Sequence, residues 1–385
     1  MTINPRGHAA RIMAAFALHA SVVGGLFLRL PEIQLDLGLS EAAYGLVLLG
    51  MPVGVVLGSI MVAPLIQARG PRQVLVWGLP MTAAAQILCA LSPSGLALAV
   101  SLFLLGVAFS TGNVAINVEA DRFETAHSGR IMSRCHGWWA VGFLVTTLVA
   151  TLLVREAISP LTQFVWHTVV LTLAAAAVLG TMPVSTNGGD TGPARRFAVP
   201  GPAILAIGAF AAAGVLMEGA TRGWAVIYAR DTFGATDWVA ALALPAVVAT
   251  QTAGRFAGDR LVAIYGTVRT ARGFAVILFL GTLAVVAAPT LPLLMAGLLL
   301  IGAGMSTVQP LAFAASARAP GRPAAENVAA YSTISTLIGF VGPSAFGALA
   351  EAIGLRATFA LALPLPILAI WFASSLLPSR TAGQG

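Results

Sequence analysis

Glu218 and Arg222 stand four residues apart inside a long apolar run. On a helix that spacing puts both side chains on one face. An ionisable group at the centre of a bilayer-spanning helix costs about 2.5–3.5 kcal/mol on insertion scales and usually faces a cavity where it acts. A carboxylate placed there can exchange a proton or bind a polar solute, with the guanidinium tuning it. The plainer alternative is a structural ion pair near the surface. Asn113 and Asn117 form a second one-turn pair. Amides offer both donors and an acceptor, as a polyhydroxyl ligand would require. Interhelical hydrogen bonds, worth about 0.6 kcal/mol on average, are the competing use. His136 can titrate near physiological pH, but a lone histidine in a helix is more often a hydrogen-bonded structural group. Trp139 and Trp224 could stack on a ring-shaped solute. Tyr228 reads more readily as a membrane-interface residue. Asn327 and Tyr331 are a further pair at i, i+4, with Asn327 near a helix start and suited to capping.

These groups are embedded in an apolar chain. Of 385 residues, 58% are hydrophobic and 9% charged. Soluble domains carry roughly 25% charged residues, so a soluble enzyme or binding module is excluded. All 21 basic residues are arginine, and the net charge is +7. The absence of lysine removes P-loop phosphate binding and Schiff-base chemistry. There is no His-Glu-x-x-His, Gly-x-Ser-x-Gly or Walker motif, so an integral membrane enzyme has little support. The arginines are scattered singly along apolar runs, which fits membrane orientation better than a nucleic-acid partner. Cys89 and Cys135 define neither a disulfide framework nor a metal site.

Each membrane-spanning helix needs about 20 apolar residues. Apolar runs predict spans near 8–30, 42–66, 73–93, 96–118, 134–154, 162–183, 201–225, 236–257, 272–288, 291–315, 327–350 and 356–377. Arg6 and Arg11 precede the first run, which continues apolar to Leu28 and is read as a retained helix rather than a cleaved signal. With the N-terminus inside and spans alternating, 16 arginines fall inside and 5 outside. That asymmetry is the positive-inside pattern and places both ends in the cytoplasm. Pro52, Pro245, Pro310, Pro343, Pro364 and Pro366 fall within the runs, where they permit kinks.

The longest polar break, 184–200, separates spans six and seven as a linker between halves would. This predicts six-helix bundles at 1–183 and 201–385. The halves repeat one another. Gly58 and Gly70 are twelve apart, as are Gly254 and Gly266. Gly106-x-x-x-Ser110-Thr111 recurs as Gly302-x-x-x-Ser306-Thr307, Gly129-Arg130 as Gly321-Arg322, and Gly142-Phe143 as Gly339-Phe340. The offsets are 196, 196, 192 and 197. Gln309 is the repeat equivalent of Asn113, so amides would face a central space from both halves. In carriers with parallel repeats, solute binds between the halves near the midplane.

This plan resembles the major facilitator superfamily. Gly254-Arg255-Phe256-Ala257-Gly258-Asp259-Arg260 followed by Gly266 is similar to its loop motif in the second half. In the first half, Gln67 and Ala68 replace the usual Asp-Arg. A closer resemblance is to the bacterial MosC-like branch, described as rhizopine permeases and related more distantly to fucose permease. Three segments carry it. They are Arg29-Leu30-Pro31-Glu32-Ile33 leading to Leu39-Ser40-Glu41-Ala42; Asn113-x3-Asn117 followed by Gly129-Arg130-x-Met132-Ser133-x2-His136-Gly137-x-Trp139-x2-Gly142; and Glu218-Gly219-Ala220-x3-Trp224-x3-Tyr228. Relatives often have an acidic residue before that tryptophan, where Gly223 stands here. The resemblance implies that Asp121, Arg130, Arg255, Asp259 and Arg260, with Glu119 and Arg122, form a mixed-charge belt that gates the inner side; a solvated loop surface, where exposed pairs are worth only about 0–1 kcal/mol, is the alternative.

The expected fold is therefore all-α and integral to the membrane, with twelve transmembrane helices in two pseudo-symmetric six-helix bundles. The expected function is secondary active transport by alternating access in a bacterial inner membrane. The cargo is a small polar solute such as a sugar, polyol or amino-sugar-like compound, moved by proton symport. A proton-antiport exporter of amphipathic compounds or drugs is the alternative, and a non-transporting receptor or scaffold is a third reading. Substrate-binding candidates are Asn113, Asn117, Trp139, Glu218, Arg222, Trp224, Gln309 and Tyr331. Proton-coupling candidates are Glu218 and His136. The partners are a small-molecule substrate, protons and the lipid bilayer, with no cofactor, metal or nucleic acid, and the chain is expected to be a monomer.

Overall fold

Over the residues the structure describes, 5–127, 131–183, 200–320 and 322–377, the computed structural model is helical and contains no strand. Twelve helices are long and apolar enough to cross a membrane. They are α1 (Pro5–Asp36), α2 (Glu41–Arg69), α3 (Pro71–Ala90), α4 (Gly95–His127), α5 (Met132–Arg155) and α6 (Pro160–Gly180) in the first half. The second half holds α7 (Pro202–Phe233), α8 (Asp237–Tyr265), α9 (Thr267–Ala287), α10 (Leu291–Ala317), α11 (Ala324–Ile353) and α12 (Leu355–Leu376). Arg130, Gly129, Gly321, Arg380 and all of the 184–200 break except Pro200 lie outside the described residues.

The helices match the apolar runs but extend past them wherever amphipathic ends continue the turn. The fourth run, expected to stop near 118, continues as α4 to His127 and carries Glu119, Asp121 and Arg122 on the helix. Arg29, Arg222 and Arg255, which lie close to the ends of the expected runs and were counted to one side or the other, sit inside α1, α7 and α8.

Proline places the helix breaks. It lacks an N–H, and its ring clashes with the carbonyl four residues earlier. The chain leaves regular helix at Leu49, three residues before Pro52, and at Leu242, three before Pro245. It does so again at Ser306 and Thr307, just before Pro310, and across 362–363, just before Pro364 and Pro366. Pro343 stays inside an unbroken α11. Pro245 frees the carbonyl of Ala241, and Thr151 Oγ1 donates to it at 3.4 Å. The same N-terminal piece of α8 carries Trp238, whose ring lies under the Arg155 guanidinium at 5.8 Å.

Contacts divide the chain into two compact units. One holds Met1–Asp190 together with Thr236–Pro245, and the other holds Thr191–Ala235 with Ala246–Gly385. The N-terminal piece of α8, up to its proline, thus belongs to the first unit rather than to the half at 201–385.

The internal repeat is visible as equivalent close packing within each unit. A Cβ on Gly58 would strike Ser110 Oγ and the Val107 carbonyl, while one on Gly254 would strike Ser306 Oγ and Cβ. Both members of each contact are related by the offset of 196. Gly106 likewise abuts the backbone of Met51 in α2, and Gly302 that of Val247 in α8. Gly70 and Gly266 turn the chain into α3 and α9 with the same unusual backbone, φ 76° and 79°, which favours glycine. The remaining match is weaker. Gly142 packs on the backbone of Ala17, but Gly339 has nothing within 4 Å.

Candidate functional site

The second unit carries a cluster of charged and amide side chains within its spans. Glu218 lies sixteen residues after Pro202, close to the middle of α7. Arg222 Nη2 donates to Glu218 Oε1 at 2.5 Å, as the i, i+4 spacing predicts. Two further partners come from α8. Gln251 Nε2 donates to the same oxygen at 3.1 Å, and Arg255 Nη2 stands 3.7 Å from it. All three contacts converge on Oε1. Side-chain exposures of 16% for Glu218, 22% for Arg222 and 27% for Arg255 leave the cluster partly open to its surroundings.

Arg255 corrects a sequence-level expectation. It was placed in the gating belt, but α8 runs ten residues beyond it, so its side chain reaches Glu218. Gln251 was missed altogether. Its signal was present in the sequence: Gln251 and Arg255 are one turn apart in an apolar run, just as Glu218 and Arg222 are.

Gln309 and Tyr331 also come together, with a partner not anticipated. Tyr331 Oη donates to Gln309 Oε1 at 2.6 Å, and Gln309 Nε2 donates to Ser335 Oγ at 3.0 Å. The part of α10 beyond its break and α11 both pack against α7, so the two networks belong to one region of the second unit. Gln309 lies two residues past the α10 break at Ser306–Thr307, where both hydroxyls are buried without a hydrogen-bond partner among the described residues. Asn327 is a clamp, with Nδ2 donating to the carbonyls of Ala319 and Arg322 at 2.7 and 3.3 Å.

Two aromatic expectations require correction. Trp224 is fully buried and packs on Phe346 with ring centroids 5.8 Å apart, so its face is covered rather than offered to a solute. Tyr228 is equally buried. Its hydroxyl donates to the Val285 carbonyl at 3.3 Å, and its ring stacks on Phe359, so it is a core residue and not an interface anchor.

In the first unit, Asn117 Nδ2 donates to the Asn113 carbonyl at 2.8 Å, which confirms the shared face. Asn113 is exposed and Asn117 half-buried. Trp139 is half-buried and stacks on Phe143 at 5.6 Å. His136 is exposed and meets the Phe16 ring edge-on at 5.3 Å. Asp121, Asp259 and Arg260 are exposed, and Arg122 is half-buried. Glu119 departs from the expected belt. It is fully buried, and its Oε1 lies 3.3 Å from His8 Nε2. Its position follows from α4 continuing as a helix, which turns Glu119 inward toward α1.

Sequence reasoning also missed a buried polar framework in this unit. His167 lies between Gln86 Oε1 at 3.3 Å and Ser21 Oγ at 3.0 Å. His19 Nε2 donates to the Phe109 carbonyl at 2.9 Å. Arg29 is 1% exposed and binds three groups: Glu32 at 2.6 Å, Gln163 at 2.7 Å and the Ile158 carbonyl at 2.7 Å. It pins α1 to the start of α6. Removing one partner of a buried charged network costs about 3–5 kcal/mol. Arg29→Met should therefore lower the thermal unfolding temperature sharply in detergent. An unchanged transition would show that Gln163 and Ile158 find other partners.

Twelve apolar helices, a duplicated six-helix unit and ionisable groups held inside the spans define a polytopic membrane carrier. The Major Facilitator Superfamily profile matches residues 12–343, and the chain belongs to this family of transporters. It is 29% identical over 359 residues to an uncharacterised transporter, y4wD, of Sinorhizobium fredii, covering 90% of this chain and 92% of that one. It is 23% identical to the membrane protein MosC of Rhizobium meliloti, covering 88% and 83%. Among solved structures it is similar to a variant of the nucleoside transporter NupG, with TM-score 0.76 at 13% identity over 95% of this chain and 99% of that one. It is also similar to a variant of the E. coli fucose:proton symporter FucP, with TM-score 0.63 at 16% identity over 97% and 98%. At these identities the structural likenesses speak for the fold.

Proposed function

We propose that this protein is a secondary active transporter that carries a small polar solute by alternating access, driven by proton symport. The cluster of Glu218, Arg222, Gln251 and Arg255 inside α7 and α8 carries this reading. A structural ion pair needs one cation for one carboxylate. Here two guanidiniums and an amide crowd a single oxygen, while Oε2 keeps no hydrogen bond among the described residues. That second oxygen is the natural seat for a proton or for a solute hydroxyl. Gln309, Tyr331 and Ser335 add neutral donors and acceptors in the same unit. Within the first unit, taken by itself, Asn113, Asn117 and Trp139 are further candidates for solute contact. The sugar- and nucleoside-carrying structural neighbours support a hydroxyl-rich cargo, and FucP supports proton symport.

In this reading Asp121, Arg130, Asp259 and Arg260 gate the inner side, and both chain ends lie in the cytoplasm of a bacterial cell. The protein works as a monomer in the inner membrane. His136, exposed at the start of α5, is the weaker of the two proton-coupling candidates.

Counterflow in proteoliposomes tests the proposal. Purified protein loaded with unlabelled solute should concentrate labelled solute of the same kind, and an inward proton gradient should drive net uptake. Binding without counterflow would mark a receptor. Solute efflux coupled to proton entry would mark an exporter.

A further inference from the structure

Arg255 is the unusual member of the cluster. Its Nη2 stands 3.7 Å from Glu218 Oε1, too far for a hydrogen bond. That oxygen already accepts from Arg222 and Gln251. Among the described residues Arg255 makes no hydrogen bond, and its Nε is buried without a partner. Asp259, one turn further along α8, is exposed and makes no ion pair with it among the described residues. A guanidinium carries five donors in a planar fork. Leaving that fork unsatisfied inside a membrane protein is costly.

We propose that Arg255 is the docking point for an anionic group on the transported solute, and that the cargo is a carboxylate-bearing polyol or sugar acid. This rests on the transporter reading above. The guanidinium fork accepts a carboxylate through two parallel N–H···O bonds, the strongest geometry available to it. One carboxylate here serves two guanidiniums, so a monoanion supplies the second counter-charge. The neighbouring groups suit the remainder of such a molecule. Gln309, Tyr331 and Ser335 can exchange their mutual hydrogen bonds for solute hydroxyls. Ser306 and Thr307 contribute two more buried hydroxyls without partners among the described residues. They stand against Gly254 and Gly258, the glycines that flank Arg255 on α8. Bringing the anion to Arg255 also leaves Glu218 Oε2 free to take up a proton, so anion and proton occupy different atoms of one site.

The test is a thermal-shift titration of the full-length purified protein with matched probes. D-gluconate is compared with D-glucitol, and D-galacturonate with D-galactose, at equal ionic strength. Ligand that binds the folded form raises apparent stability by mass action. The acids should stabilise the protein at concentrations at least about tenfold lower than their neutral partners, equivalent to about 1.4 kcal/mol. Arg255→Gln should abolish that preference, and Arg255→Lys should restore part of it. Neutral partners acting as well as the acids, no shift with either acid, or an undiminished preference in folded Arg255→Gln would each overturn the inference. Counterflow with the same probes separates this from the broader reading. Counterflow of a neutral partner alone leaves transport standing and the anion claim fallen. Acid binding without counterflow does the reverse.

Discussion

Glu218→Gln should cut solute uptake at least tenfold and remove its dependence on pH. The substitution is nearly isosteric and keeps an oxygen to accept from Arg222 and Gln251. It removes the one group of the cluster that can carry a proton at Oε2. It also leaves Arg222 and Arg255 facing each other without the carboxylate between them. Loss of one partner from a buried charge network costs about 3–5 kcal/mol, so some loss of thermal stability is expected as well. The pH profile separates the two effects. A misfolded variant loses transport at every pH. A folded one that has lost its proton site keeps residual exchange of solute for solute, with a flat profile and no response to a proton gradient. Uptake that rises and falls with pH as in the unmodified protein would remove Glu218 from coupling and turn attention to His136.

Gly302→Val should be strongly destabilising, while Gly339→Val should not. A Cβ at position 302 meets the Val247 carbonyl and Thr250 Oγ1, and lies 2.9 Å from the Val247 carbonyl carbon. The obstacle is mainly backbone, which cannot swing aside as a side chain can. Overpacking typically costs about 1–3 kcal/mol, occasionally more, and a backbone obstacle belongs at the upper end. Small residues let membrane helices approach closely, so valine here forces α10 away from α8, carrying Ser306, Thr307 and Gln309 with it. Gly106→Val should behave alike, because Gly106 abuts the Met51 carbonyl and lies 3.0 Å from Val55 N. Gly339 has open space around it and provides the control. Thermal unfolding in detergent reads all three. Equal effects at 302 and 339 would show that the helix crossing does not set the stability.

The fold was largely legible because the membrane simplifies the problem. Every backbone group must be satisfied within a span, so apolar length alone predicts twelve helices. Proline marked the breaks at Leu49, Leu242, Ser306–Thr307 and 362–363, yet Pro31, Pro64, Pro80 and Pro343 show that a continuous helix can absorb one. The repeat was legible at Gly58, Gly106, Gly254 and Gly302, where the sequence match reflects a shared helix crossing. It misled at Gly339, where glycine is present without that contact.

The site was legible only along single helices. Glu218 with Arg222, and Asn113 with Asn117, are i, i+4 pairs that sequence spacing reveals. Gln251 and Arg255 reach Glu218 from another helix, and nothing in the spacing announces which faces meet. Glu119 was misplaced for a related reason. It was assigned to a polar belt with its charged neighbours, whereas the helix continues through it and turns it toward His8. Trp224 was assigned to a ligand for its ring, but its face is used by Phe346.

The central claim is that the Glu218 cluster borders a watery path inside the bilayer, open to one compartment at a time. A single thiol reports on it directly. Cys89 and Cys135 are both fully buried and can be replaced by alanine. Ser335→Cys then places a half-buried sulfur beside Gln309. In sealed vesicles of defined orientation, a small charged thiol reagent should label this position from either side. A transported solute should slow that labelling. Labelling only by a membrane-soluble reagent, unaffected by any solute, would place the cluster against lipid and contradict the account.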